Sequence, residues 1–65
     1  MPSTVIRSFT YLPEKSVLRI TFNTGNVYDY LDVPESVYND MKASFSKGIY
    51  FNQFVKNVFK TVRVE

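Results

Sequence analysis

The chain has 65 residues, of which 45% are hydrophobic and 17% aromatic, and its formal net charge is +2 at pH 7. This length predicts one domain, residues 1–65, which buries only about 60% of its unfolded surface and must rely on dense packing of its six Phe and five Tyr rings or on self-association. Because the sequence has neither Cys nor His, disulfides, soft-metal ligands and the usual thiol or imidazole catalysts are excluded, and we expect no catalytic, cofactor or metal site.

The first strand is predicted from Val5 to Tyr11, where the sequence suits an extended segment with two distinct faces. Alternation assigns one face to Val5, Arg7, Phe9 and Tyr11 and the other to Ile6, Ser8 and Thr10. Phe9 and Tyr11 are expected to face the core. A turn follows at residues 12–16, because Pro13 presets the backbone and the residues after it are charged.

A β-hairpin is predicted within residues 17–33, and its loop length sets the register. A two-residue loop at Thr24 and Gly25 would place Ile20 opposite Asp29. A three-residue loop, residues 23–25, gives the pairs Leu18 with Tyr30, Ile20 with Tyr28, and Arg19 with Asp29. The second register is favoured because it joins apolar residues on one face and opposite charges on the other.

Two helices are predicted after the hairpin. The first begins around Pro34 and ends near Ser44, with a buried stripe formed by Val37, Tyr38, Met41 and Phe45. Ser46 is the predicted N-cap of a second, shorter helix, and the apolar residues from Ile49 to Val58 are expected to be largely packed. Residues 61–64 alternate and form either a short edge strand or an irregular end. The predicted fold class is therefore α+β: a three-stranded antiparallel meander with two short helices packed on one face, with or without this C-terminal strand.

Several motifs resemble the KTSC domain family. They are Leu18-x-Ile20-x-Phe22-x-x-Gly25, Val27-Tyr28-x-Tyr30-x-x-Val33-Pro34, Val37-Tyr38, and Ser46-x-Gly48-x-Tyr50-Phe51-Asn52. The family is named for the C-terminal extension of some lysyl-tRNA synthetases and also occurs as small free-standing bacterial and phage proteins. The resemblance implies RNA binding by analogy. The chain departs from the family after Asn52, where a basic residue and then a Tyr are usual; Gln53 follows here, and Phe59 replaces the Tyr.

The charges are distributed unevenly along the chain. Residues 1–40 have three basic and five acidic side chains, a net −2, whereas residues 41–65 have five basic and one acidic, a net +4. The basic part interleaves cations with an aromatic ring and gives a candidate nucleic-acid site comprising Lys47, Tyr50, Lys56, Lys60 and Arg63. Lys56 and Lys60 share a helix face if the second helix continues that far. The alternative interpretation is a solvated helix face.

Tyr28 and Tyr30 are candidates for stacking on unpaired bases. The favoured hairpin register turns both rings toward the core, so structural packing is the alternative that the alternation supports. Asp29 and Asp32 are interpreted as a cross-strand partner and a helix-start residue rather than as cation ligands.

The sequence thus predicts a non-enzymatic module that binds RNA or single-stranded nucleic acid. The alternative is a bacterial or phage protein-interaction module, with a homodimer as one form. The first residues resemble no signal or transit peptide, and the longest apolar run is three residues. We therefore expect a cytoplasmic protein without a membrane partner.

Overall fold

The computed structural model describes residues 6–64, which form four strands in one antiparallel sheet and two helices. The elements in chain order are β1 (Ile6–Leu12), β2 (Val17–Phe22), β3 (Val27–Tyr30), α1 (Glu35–Ala43), α2 (Lys47–Phe54) and β4 (Thr61–Arg63). The strands lie in the order β1-β2-β3-β4. The α+β prediction is confirmed, including the short C-terminal strand. Among residues 6–64, no helix is long and apolar enough to cross a membrane.

The β2–β3 hairpin adopts the predicted register. Leu18 pairs with Tyr30, Arg19 with Asp29, and Ile20 with Tyr28. Its three-residue loop is closed by hydrogen bonds from the Gly25 amide to the Phe22 carbonyl and from the Phe22 amide to the Asn26 carbonyl, both 2.9 Å. Gly25 has φ +97°, a conformation that side chains disfavour, which explains a glycine at this position.

The core lies between the sheet and the two helices. Its buried residues are Leu18, Ile20, Tyr30, Val33, Met41, Phe51 and Val55. Phe51 of α2 meets Phe22 and Tyr30 edge to face, with ring centroids 5.6 and 5.4 Å apart. On the β1 side, the Tyr38 ring of α1 stacks on Tyr11 at 5.4 Å. The expectation of a core built from rings is therefore met only in part. Rings from both layers pack around the centre, but the fully buried side chains are aliphatic: Leu18, Ile20, Val33, Met41 and Val55.

A β-bulge in β1 overturns part of the predicted alternation. Ile6 pairs with Phe22 but Ser8 pairs with Thr21, so Arg7 is an extra residue with no partner across the ladder. As a result, Ile6 packs against the core together with Phe9 and Tyr11, and not on the opposite face. Val5, the first residue of the predicted strand, lies outside the described residues.

The first helix starts where predicted, with Pro34 as N-cap and Glu35 in the first turn. It ends at Ala43, and the Ser44 hydroxyl donates a 2.7 Å hydrogen bond to the Met41 carbonyl. The prediction that Phe45 belongs to the buried stripe is wrong. Phe45 lies beyond the last helical residue, so the helical spacing no longer applies, and its side chain is fully exposed at 107%.

The second helix is capped by Ser46, as predicted, since its hydroxyl accepts a 3.3 Å hydrogen bond from the Ile49 amide. It stops at Phe54, and the Lys56 amide turns back to the Phe51 carbonyl at 2.8 Å. Lys56 and Lys60 therefore do not share a helix face. The expectation that the apolar run is largely packed is correct for Phe51 and Val55 but wrong for three exposed residues, Ile49, Phe54 and Val58.

Candidate functional site

An exposed group of apolar side chains lies at the junction of the two helices. We call it the aromatic corner: Phe45, Ile49, Tyr50 and Phe54. Ile49 and Phe54 each expose about half of their surface, 52% and 51%. The Tyr50 and Phe54 rings lie 4.7 Å apart with planes tilted by 37°. Together with Ser44, Ser46 and Gln53, the corner lines a shallow groove of about 300 Å³. Flat, accessible rings next to one another suit contact with other flat apolar groups.

One cation belongs to the same surface. Lys47, Tyr50 and Phe54 follow the i, i+3, i+7 spacing and so share one face of α2. The Lys47 ammonium donates a 3.1 Å hydrogen bond to the Ser44 carbonyl, a neutral acceptor that does not neutralise its positive charge. Lys47 therefore presents charge beside the rings.

Tyr50 also contacts α1. Burial raises the pKa of the Tyr50 phenol above its ordinary value, and the charge and hydrogen bonding of Asp40 raise that pKa further. The phenol stays protonated at neutral pH. The Tyr50 phenol is thus neutral next to the charge of Asp40 on α1, while its ring lies against Phe54.

A second groove separates the helix junction from the first strand. We call it the β1 groove; it has a volume of about 430 Å³ and is lined by Ile6, Arg7, Ser8, Phe9, Phe45, Ser46 and Lys47. The Arg7 guanidinium donates a 3.1 Å hydrogen bond to the Asn23 carbonyl in the hairpin loop. The groove therefore combines a fully exposed ring with two cationic side chains.

The remaining basic residues of the predicted site lie elsewhere. Arg63 pairs with Tyr28 on the β4 side of the sheet and donates a 3.3 Å hydrogen bond to the Asn26 side chain. Lys60 directly precedes β4, and its carbonyl accepts a 2.8 Å hydrogen bond from Leu31. Since β1 and β4 are opposite edges of the sheet, three strand spacings of about 4.8 Å put roughly 14 Å between them. The structure places Lys47 and Tyr50 on α2, with Lys47 beside β1, whereas Arg63 lies on β4 at the opposite sheet edge and Lys60 directly before it. Lys56 is exposed after α2.

The two central tyrosines pack on the helix-covered face, as the register predicted. Tyr30 is 6% exposed, and burial raises the pKa of its phenol. Tyr28 is half-buried and meets Phe22 edge to face at 5.6 Å. Tyr30 is therefore a core residue without a free face for a base. Tyr28 contributes at most a partly open ring beside Arg63.

Sequence reasoning missed Phe45, Phe54 and Arg7. The sequence pattern places Phe45 and Phe54 in packed segments, because apolar residues at helical spacing are usually core. The signal for Phe45 was present, since the Ser44-Phe45-Ser46 run places an aromatic residue between two cap-forming serines. No comparable signal marks Arg7, whose position depends on a bulge.

Known proteins resemble this chain over most of its length. A model of the KTSC domain matches residues 2–59. A lysine–tRNA ligase of Nostoc punctiforme is 45% identical over 56 residues, which are 86% of this chain but 10% of the ligase. The chain thus spans about a tenth of the length of the ligases it matches. A protein of Tsukamurella paurometabola is 35% identical over 60 residues, 92% of this chain and 90% of its own length.

The fold is shared as well. The crystal structure of a KTSC domain protein from Yersinia pestis matches with a TM-score of 0.92 at 31% identity, covering 100% of this chain and 92% of that one. The resemblance extends from the sequence motifs to the arrangement of the whole domain. This chain belongs to the KTSC domain family.

Proposed function

We propose that this domain is a non-enzymatic module that binds single-stranded RNA in the cytoplasm. Bases stack on the aromatic corner, and Lys47 contacts the phosphate backbone. The observation that carries the proposal is the fully exposed Phe45 ring at the junction that also presents the adjacent Tyr50 and Phe54 rings. Proteins that bind single strands without sequence preference combine such rings with basic side chains.

The relatives support an RNA ligand. Lysine–tRNA ligases carry a segment similar to this chain, and their name identifies an RNA, tRNA, as a molecule on which they act. The similar protein of Tsukamurella paurometabola is covered over 90% of its length. The domain therefore occurs both as part of an RNA-related enzyme and nearly alone, as expected of a binding module.

The test is fluorescence anisotropy of a short labelled single-stranded RNA across a salt series. If Lys47 contacts one phosphate, log K falls with log salt at a slope of about −0.7, and affinity drops about 2.5-fold between 50 and 200 mM salt. Phe45→Ala should weaken binding by about fivefold or more, because stacking contributes about 1–3 kcal/mol per base. Double-stranded RNA should bind more weakly, since its bases are not free to stack.

Charge reversals locate the site. Lys47→Glu should weaken RNA binding much more than the double variant Lys56→Glu/Lys60→Glu, which lies outside the aromatic corner. If only the double variant loses affinity, the segment between α2 and β4 carries the site instead. Absence of binding at low salt would refute RNA binding altogether.

A protein partner is the second candidate, and the exposed Ile49 and Val58 side chains favour it. Neither aliphatic side chain stacks with a base, whereas both suit an apolar protein surface. In that case Phe45→Ala abolishes capture of one partner protein, or dissociates a homodimer, with little dependence on salt. Sedimentation of the isolated domain over a concentration series tests the homodimer directly.

A further inference from the structure

We propose that the β1 groove binds one nucleoside phosphate, with the base against Phe45 and the phosphate between Arg7 and Lys47. This inference rests on the proposed function and assigns the ligand of a neighbouring site that shares Phe45 with the aromatic corner. The same chemistry is offered by a nucleotide within an RNA chain and by a free mononucleotide. The experiment below distinguishes the two sources.

The first support is the size and lining of the groove. Its volume of about 430 Å³ lies within the range of about 300–1,000 Å³ that is usual for small-ligand sites. One wall contains the Phe45 ring, which is exposed on this side as well as toward the aromatic corner. A planar base therefore has a ring to stack against within a concave surface.

The second support is the pair of cations. Arg7 and Lys47 line the groove from different elements, β1 and the first turn of α2. Each donates a hydrogen bond to a backbone carbonyl, 3.1 Å long in both cases. A carbonyl positions the side chain without neutralising it. Since a guanidinium has five N–H donors, Arg7 keeps donors for a bidentate contact with phosphate.

The third support is the backbone at Arg7. The bulge makes Arg7 an extra residue in β1, where regular pairing would fix a side chain to one face of the sheet. Bulges commonly re-aim side chains next to functional sites. Here the Arg7 side chain reaches the hairpin loop, and the Asn23 carbonyl holds it beside the groove. The bulge and the hydrogen bond to Asn23 thus explain why the Arg7 side chain lies beside the groove.

The probes are adenosine, adenosine monophosphate, inorganic phosphate and a short oligoadenylate, each titrated into ¹⁵N-labelled protein and followed by amide chemical shifts. The monophosphate should bind about tenfold more tightly than adenosine, because charge-assisted contacts to phosphate add to stacking. Its shifts should centre on Arg7, Ser46 and Lys47. Arg7→Gln should remove the advantage over adenosine, whereas Phe45→Ala should weaken both ligands.

Lys15→Gln is the matched control for Arg7→Gln, since it removes one positive charge from the exposed turn after β1. It should leave binding of the monophosphate unchanged. Equal affinity for adenosine and its monophosphate, or shifts centred away from Arg7, would overturn the inference. Equal loss in the Lys15 and Arg7 variants would do the same, because it would reveal a general charge effect.

The outcomes also separate this inference from the proposed function. Oligoadenylate that binds the aromatic corner with an affinity unaffected by Arg7→Gln leaves RNA binding intact and refutes the nucleotide site. Binding of the monophosphate without binding of oligoadenylate supports the groove and refutes RNA as the ligand. Failure of both ligands refutes both proposals.

Discussion

The guanidinium of Arg19 donates two hydrogen bonds, 2.7 and 3.0 Å long, to the carboxylate of Asp29 directly across the β2–β3 ladder. The pair lies on the sheet face opposite the core residues Leu18 and Ile20. The hydrogen bond and charge of Asp29 raise the pKa of Arg19 above its ordinary value, so the guanidinium stays charged wherever the protein folds. The pair therefore fixes the hairpin register from the side that the helices do not cover.

Breaking this pair should have a small effect on stability that depends on salt. A double-mutant cycle of Arg19→Ala and Asp29→Ala is expected to give a coupling of about twofold to fivefold in the unfolding equilibrium constant. The coupling should decrease at high salt, because the pair is partly exposed. Urea unfolding followed by circular dichroism measures it. Additive effects of the two substitutions at low salt would contradict this expectation.

Gly25→Ala should destabilise the hairpin by about 1–2 kcal/mol, the cost of a left-handed conformation for a residue with a Cβ. Apart from Gly25 and its two chain neighbours, no residue has an atom within 4 Å of the position that the Cβ would take, so the cost comes from the local backbone conformation and not from a tertiary clash. Thr24→Ala, in the same loop, should be nearly neutral. Comparing the urea midpoints of the two variants tests whether the left-handed backbone at Gly25 causes the loss of stability. An equal decrease of the midpoint in both variants would argue against this cause.

Met41→Ala should remove most of the stability of the domain. Met41 is fully buried, and truncating such a side chain costs about 2–5 kcal/mol. For a chain of 65 residues, a typical free energy of unfolding of about 0.05–0.15 kcal/mol per residue gives a total of roughly 3–10 kcal/mol. Circular dichroism should show a much lower thermal midpoint, whereas Met41→Leu should keep it nearly unchanged. An unchanged midpoint for Met41→Ala would mean that α1 is not anchored by this residue.

Sequence patterns predicted the elements whose causes are local. The loop of the β2–β3 hairpin, its register and the Ser46 cap all follow from residues that lie close together in the chain. The patterns failed at Ile6 and Phe45, because the period on which each prediction relied does not extend to that residue. A bulge shifts the alternation of β1, and the end of α1 leaves Phe45 outside the helix. These two residues line the β1 groove. The pattern also failed for Ile49, Phe54 and Val58, because an apolar run does not reveal which of its side chains the sheet and α1 leave uncovered.

The titration of Tyr30 should reduce stability at high pH. Burial raises the pKa of its phenol, so the folded protein keeps a proton that an unfolded tyrosine loses near pH 10. The contribution of this proton to the stability of the folded protein is complete below about pH 10, and it is lost as the pH rises through the pKa of Tyr30 in the folded protein. Urea midpoints should therefore fall above about pH 10.

Tyr30→Phe provides the control for this prediction. It removes the ionisable group but keeps the ring against Phe51, so its urea midpoint should depend less steeply on pH than that of the unchanged protein. Tyr50→Phe should have a smaller effect on the slope, because Tyr50 is more exposed. Parallel pH profiles for the Tyr30 variant and the unchanged protein would rule out Tyr30 as the source.

Ser44 and Ser46 hold the backbone on both sides of Phe45, one by closing α1 and the other by opening α2. An exposed ring on a loop of free conformation would lose entropy on binding, but this ring is carried by a backbone that is already ordered. A ligand therefore gains the stacking contact at a low conformational cost, as in other preorganised sites. Replacing either serine with alanine should therefore leave the association rate nearly unchanged but shorten the lifetime of the complex, because the backbone that carries the ring is less ordered.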